Sequence, residues 1–227
     1  MKYLAVLLIF VTNTLMAQPS YKNYDAFLKK YVNKAGDVAY KKIKKSDLET
    51  IVKEFQAATP QKTWSKNEQL AYWLNAYNLF TIRLIVDNYP LKKITDLDKG
   101  KPWDVKRIEL GGQKYSLNQI ENDIIRPTFK DARIHFAINC AAKSCPPLLN
   151  TAFTAANVQN YLEQRTKSFI ISKSNVLAEK NVKISKIFDW YKADFSDIPT
   201  FLSKYSTVKV AKDAKIEFLE YDWSLNE

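Results

Sequence analysis

Glycine, histidine, cysteine and arginine are all scarce in this chain of 227 residues. The four glycines are Gly36, Gly100, Gly111 and Gly112. Their spacing makes neither a dinucleotide fingerprint nor a phosphate-cradling loop, because both need several glycines for close backbone approach. Nucleotide-fold enzymes are therefore poor candidates, and no cofactor is expected. A single histidine, His135, excludes an all-histidine metal site. No Gly-x-Ser-x-Gly elbow occurs, which argues against a serine hydrolase of that fold. Arginine supplies only five of the 35 basic residues. Guanidinium forks make the bidentate contacts of base and phosphate recognition, so a lysine-rich chain is a weak nucleic-acid binder. Repeats, low-complexity runs and Pro/Gly/Ser-rich linkers are absent as well.

Long apolar runs are missing except at the start. Lys2 precedes the apolar stretch 3–11, and a more polar segment ends at Ala17. A basic start, a short apolar core and a small residue before the cut describe a secretory signal peptide. The run falls short of the ~20 residues a membrane span requires. We expect cleavage after Ala17, a mature domain over 18–227 with no transmembrane segment, and a periplasmic or secreted location. Removing Lys2 lowers the formal +11 by one. In an exported protein such a lysine surface keeps the chain soluble, or draws it to an anionic cell-envelope polymer or a protein partner.

What is abundant is aromatic: five Trp, thirteen Tyr and twelve Phe, enough burial area for a folded core. Tyr24, Phe27, Leu28 and Tyr31 recur at helical spacing, as do Leu48, Ile51, Val52 and Phe55 before Pro60. Ser65 and Glu68 form a capping-box signature ahead of a helix running to Pro90. That helix carries Asn75 and Asn78 on one side of an otherwise apolar surface, so both amides need hydrogen-bond partners, such as a neighbouring loop's backbone. Gly111-Gly112 predicts a hairpin between 106–110 and 113–115. Ser116 then caps a helix that carries Glu121 and stops near Pro127. Residues 133–139 alternate and predict a strand; 158–169 and 187–195 read as helices, 182–184 and 215–223 as strands. The order predicts one α+β domain, a helical N-terminal part packed with a small mixed or antiparallel sheet.

His135, Cys140 and Cys145 fall within eleven residues, with no other histidine or cysteine in the chain. A thiol nucleophile needs a thiolate, a base and a group that orients the base. Cys140, His135 and Glu121 are the candidates for those roles, with Asn75, Asn78 and Cys145 in support. A straight strand would hold residues 135 and 140 ~16 Å apart, so the dyad requires a bend after Ile138; a reversal near Ala141 would bring Cys145 to His135 instead. The alternatives are a structural Cys140–Cys145 disulfide, suited to an oxidising compartment, and a metal site completed by a carboxylate. The separation is not the two-residue gap of thiol oxidoreductases. Carboxylate pairs for sugar hydrolysis could be drawn from Glu121 and Asp123, or Glu220 and Asp222, a pattern that chance supplies readily.

Trp73-Leu74-Asn75-Ala76-Tyr77-Asn78, His135-Phe136-Ala137-Ile138-Asn139-Cys140 and Ser144-Cys145-Pro146-Pro147-Leu148 resemble the family known as domain of unknown function 547. Ser185-Lys186-Ile187-Phe188-Asp189-Trp190-Tyr191 with Asp194-Phe195, and Tyr221-Asp222-Trp223-Ser224-Leu225-Asn226, resemble its pattern too, so the likeness covers nearly all of the mature chain. It implies that Asn75, Asn78, Glu121, His135, Cys140 and Cys145 are motif positions, without assigning any of them a role. Two expectations follow. One is a cysteine-dependent hydrolase or acyl/peptidyl transferase acting on an envelope polymer. The other is a non-catalytic envelope-binding or interaction module stapled by a disulfide.

Overall fold

The computed structural model describes residues 18–227; the leader expected over 1–17 lies outside the described residues. Three helices open the fold: α1 (Lys22–Tyr31), α2 (Lys45–Ala57) and α3 (Lys66–Asn88). In α1 and α2 the residues at helical spacing, Tyr24, Phe27, Leu28 and Tyr31, then Leu48, Ile51, Val52 and Phe55, are the buried ones. The expected capping box forms at α3. Ser65 Oγ accepts from Glu68 N at 3.2 Å and Glu68 Oε2 accepts from Ser65 N at 2.6 Å. From Leu70 to Val86 this helix is buried on almost every side, as a central helix must be when it is apolar all round.

The hairpin follows, β1 (Ile108–Leu110) against antiparallel β2 (Gln113–Tyr115). Gly111 and Gly112 both take positive φ, 56° and 75°, as a two-residue turn matching strand twist requires. Ser116 caps the next segment as expected, accepting from Gln119 N at 3.0 Å while Gln119 Oε1 accepts from Ser116 N. The helix is a wide π-turn, Gln119–Ile125, and it does not stop at Pro127. It runs on through Pro127 into α4 (Arg126–Phe129) and ends at Lys130, which takes a positive φ of 49°.

The strand expected at 133–139 is not formed; Ala132–Phe136 is a 3-10 helix. The alternation that suggested a strand has another cause. The described residues build two apolar clusters, and Ile134 enters the first while Phe136 enters the second. Successive side chains of a 3-10 helix diverge by about 120°, so His135 sits at the seam.

α5 (Val158–Ile170) bridges the clusters, giving Val158 and Leu162 to one and Phe169 and Ile170 to the other. The second cluster also holds β3 (Val176–Leu177), β4 (Asn181–Ile184), α6 (Ile187–Trp190), the 3-10 turn Lys192–Phe195 and α7 (Ile198–Tyr205). β5 (Lys215–Phe218) pairs parallel with β4, whose other edge pairs antiparallel with β3, so this sheet is mixed. The class is α+β. The final alternating run was expected as a strand to Trp223, yet ladder pairing ends at Phe218. Beyond it Tyr221 and Trp223 point into a cavity, and that burial produces the alternation. α7 was not anticipated, although Asp197 caps it by accepting from Thr200 N at 2.9 Å. No helix among the described residues is long and apolar enough to cross a membrane.

Candidate functional site

α3, the π-turn, the 3-10 helix at 132–136, α6 and the chain after β5 meet around a cavity of about 460 Å³. Its polar residues include Tyr77, Asn118, Glu121 and His135, and its aromatic wall is Trp103, Trp190, Tyr191, Tyr221 and Trp223. Cys140, Cys145 and Pro146 form another side. The volume and the mainly apolar lining with a few convergent polar groups are those of a small-molecule site.

His135 is buried and fixed on several sides. Its ring stacks on Tyr191 with centroids 3.9 Å apart. Nε2 lies 2.7 Å from Asp194 Oδ2. Arg126 holds the same carboxylate side-on through Nε and Nη2 and keeps its carboxyl below the usual range, with the His135 contact adding to the effect. An ionised carboxylate only accepts, so Nε2 carries the hydrogen; this tautomer is assigned from the hydrogen-bond network. Nδ1 makes no hydrogen bond within the described residues and faces Glu121 Oε1 at 3.6 Å. Burial pushes the phenols of Tyr77 and Tyr191 up, and the nearby Glu121 carboxylate adds to the shift, so both keep their hydroxyl hydrogen. The arrangement presents the Glu121 carboxylate and the Nδ1 acceptor of His135 to a ligand in the cavity.

The carboxylate and imidazole of the expected catalytic set are therefore brought together. The thiol is not joined to them. Cys140 is bonded to Cys145, with Cα atoms 6.1 Å apart, and its Sγ lies 3.2 Å from Tyr221 Oη. Both nitrogens of His135 face carboxylates. Asn75 and Asn78 lie outside the cavity lining and hold backbone. Asn75 donates to Phe153 O at 2.8 Å and accepts from Phe153 N at 2.9 Å. Asn78 donates to Ala137 O at 3.0 Å and accepts from Asn139 N at 2.8 Å. Of the carboxylate pairs, Asp123 does not line the cavity with Glu121, and Glu220 and Asp222 line a different one. No group of three or more His, Cys, Asp or Glu among the described residues is arranged to hold a metal ion.

Sequence reasoning assigned no role to Tyr77, Arg126, Tyr191, Asp194, Trp103, Trp190, Tyr221 or Trp223. The available signal was the mixing of acids with Trp and Tyr in 189–194 and 221–223, a composition unlike a plain core. Along the π-turn and α4, Arg126 donates to Asn122, Asn122 to Asn118, and Asn118 to Asp104, at four-residue steps until the last. This polar chain ties the Asp194 clamp to the rim at Asp104.

No curated protein and no solved structure matches the chain. A family model described as protein of unknown function, DUF547, matches residues 61–170, which carry Asn75, Asn78, Glu121, His135, Cys140 and Cys145. The residues that complete the cavity, from Ile187 to Trp223, follow the matched stretch. That central segment, 61–170, is thereby identified as DUF547 sequence.

Proposed function

We propose that the protein is an exported binding module that takes a saccharide portion of a cell-envelope polymer into the Trp103–Trp190–Trp223 cavity. The observation that carries this reading is the pairing of aromatic walls with an acceptor floor. Trp190 and Trp223 stack with centroids 5.7 Å apart and an interplanar angle of 26°, and Tyr221 packs against both. Indole and phenol faces suit the apolar C–H faces of sugar rings. Glu121 and Asp104 are acceptors for hydroxyl and amide donors. The exposed lysines around 41–45 would add attraction to an acidic polymer, screened by salt.

The hydrolase or transferase reading needs a free Cys140 thiolate and a base available to it. The Cys140–Cys145 bond and the two carboxylates at His135 favour the binding module. Titration of tryptophan emission with N-acetylglucosamine oligomers and soluble muropeptides tests the proposal. A saturable change in the micromolar-to-millimolar range is expected, lost in Trp223→Ala. Unchanged emission up to about 10 mM, an affinity weaker than about 3 kcal/mol, would overturn it.

A further inference from the structure

The Cys140–Cys145 bond closes a loop of six residues whose conformation is held by other means. Asn139 accepts from Ala141 N at 2.8 Å and donates to Pro146 O at 2.9 Å, so one side chain spans the loop. Lys143 N donates to Ser224 O at 2.8 Å, Ser144 N to Asp222 O at 3.2 Å, and Asn226 N to Ala141 O at 3.1 Å. Within the loop, Cys145 N donates to Ala142 O at 3.1 Å. Closing so short a loop also restricts the unfolded chain least. A disulfide that the loop does not require, set in the wall of a ligand cavity, has another use.

Its two sulfurs are not equivalent. Cys140 is half-buried and lines the cavity, whereas Cys145 is 7% exposed. Cys145 Sγ accepts from the backbone N–H of Cys140 at 2.7 Å. A disulfide sulfur carries no hydrogen, so Tyr221 donates its hydroxyl to Cys140 Sγ. Attack at the accessible Cys140 sulfur sends the electron pair to Cys145 Sγ. The leaving thiolate then already has a backbone donor aimed at it, and stabilising the leaving sulfur speeds exchange.

We infer that Cys140–Cys145 is an exchange-competent disulfide whose substrate class is small thiols admitted by the aromatic cavity. A substrate thiolate forms a bond to Cys140 Sγ, the Cys140–Cys145 bond breaks, and Cys145 leaves as a thiolate that takes up a proton. A second substrate thiolate attacks the substrate sulfur of the mixed disulfide and releases Cys140 as a thiolate, which is also protonated. Two thiols become one disulfide, and the protein disulfide gains the two electrons. Four residues separate these cysteines, rather than the two of common thiol oxidoreductases; here a backbone amide inside the loop stabilises the leaving sulfur. This inference stands independently of saccharide binding.

The test uses the full mature chain, purified without reductant and exposed to reduced glutathione near neutral pH. Acid quenching, intact mass and peptide mapping then locate the adduct. Exchange in the native protein is expected within about a hundredfold of the rate in urea-unfolded protein. The transient adduct should map to Cys140; Cys145→Ser, whose Cys140 is a free thiol, should form the same adduct when given oxidised glutathione, releasing one reduced glutathione. Given the same oxidised glutathione, Cys140→Ser should form at least about tenfold less adduct, because Cys145 is buried. The reduced protein should keep its far- and near-ultraviolet circular dichroism. Exchange more than about a hundredfold slower than in the unfolded chain, an adduct on Cys145 in the unsubstituted protein, or loss of the native spectrum on reduction would each overturn the inference. Quenching the unsubstituted protein keeps the result readable should either variant fail to fold.

Discussion

Arg126 meets Asp194 through two parallel hydrogen bonds, Nε to Oδ2 at 2.7 Å and Nη2 to Oδ1 at 2.9 Å, and Oδ2 also receives the proton of His135 Nε2. The guanidinium therefore sets both the charge of the carboxylate and the tautomer of the imidazole. With its pKa lowered from the ordinary 3.8, Asp194 stabilises the fold fully above that value and loses the contribution as pH falls through the lowered one. Arg126→Leu should cost about 2–3 kcal/mol at pH 7, since it leaves a partly buried carboxylate without its charged partner. The cost should shrink by pH 3 and below. Urea unfolding of both proteins across pH 2–7 checks this, and a pH-independent difference would show that Asp194 is not the group involved.

Asn78 satisfies two buried backbone groups on the chain leading to Cys140, Ala137 O and Asn139 N. Asn78→Leu fits the apolar surroundings but orphans both. A loss of about 2–4 kcal/mol is expected, together with faster amide exchange at Asn139. Asn75→Leu should cost a similar amount but act on Phe153, which does not line the cavity. Glutathione exchange rates in the two variants should therefore diverge, with only Asn78→Leu altering the rate.

Gly36 takes φ 91°, and a Cβ there would meet Pro147 Cβ at 2.5 Å and Leu148 N at 2.7 Å. The turn between α1 and α2 thus lies directly against the segment that follows Cys145. Gly36→Ala combines a left-handed backbone with contact against backbone that cannot swing aside, for a cost of at least about 2 kcal/mol. Thermal unfolding should fall by several degrees, while Gly112→Ala, where no neighbour lies within 4 Å, should show conformational strain alone.

Glu121→Gln keeps the side chain's shape and removes its charge. The new amide can face Nδ1 of His135, which has no hydrogen-bond partner among the described residues. The fold should survive with a loss of about 1 kcal/mol, whereas N-acetylglucosamine oligomer affinity should drop about tenfold, because hydrogen bonds to charged acceptors contribute more than those to neutral ones. Isothermal titration beside an unfolding curve separates the two effects.

Helices with one apolar face and a capped start were legible because their signals are local. Tyr24 to Tyr31 and the Ser65–Glu68 box depend only on neighbours a few residues away. The segment 133–139 misled because its alternation reports two separate cores rather than two faces of a sheet. Tyr221 and Trp223 alternate for a similar reason, with a cavity in place of a ladder. For the candidate site, proximity along the chain picked out His135, Cys140 and Cys145. The clamp on His135 comes from Asp194 and Arg126, 59 residues after it and on the preceding helix. No local pattern encodes such a meeting.

The 3-10 helix at 132–136 makes His135 a hinge point in the folding of this protein. Ile134 locks one assembly and Phe136 locks another, so the imidazole reaches its carboxylates only when both assemblies have closed on the same short turn. Damage deep in either core, at Leu74 or at Phe188, would therefore reach the cavity without touching its lining. Losses of function traced to such distant positions would reflect misplaced registration between halves, and a screen that looked only at pocket residues would overlook them.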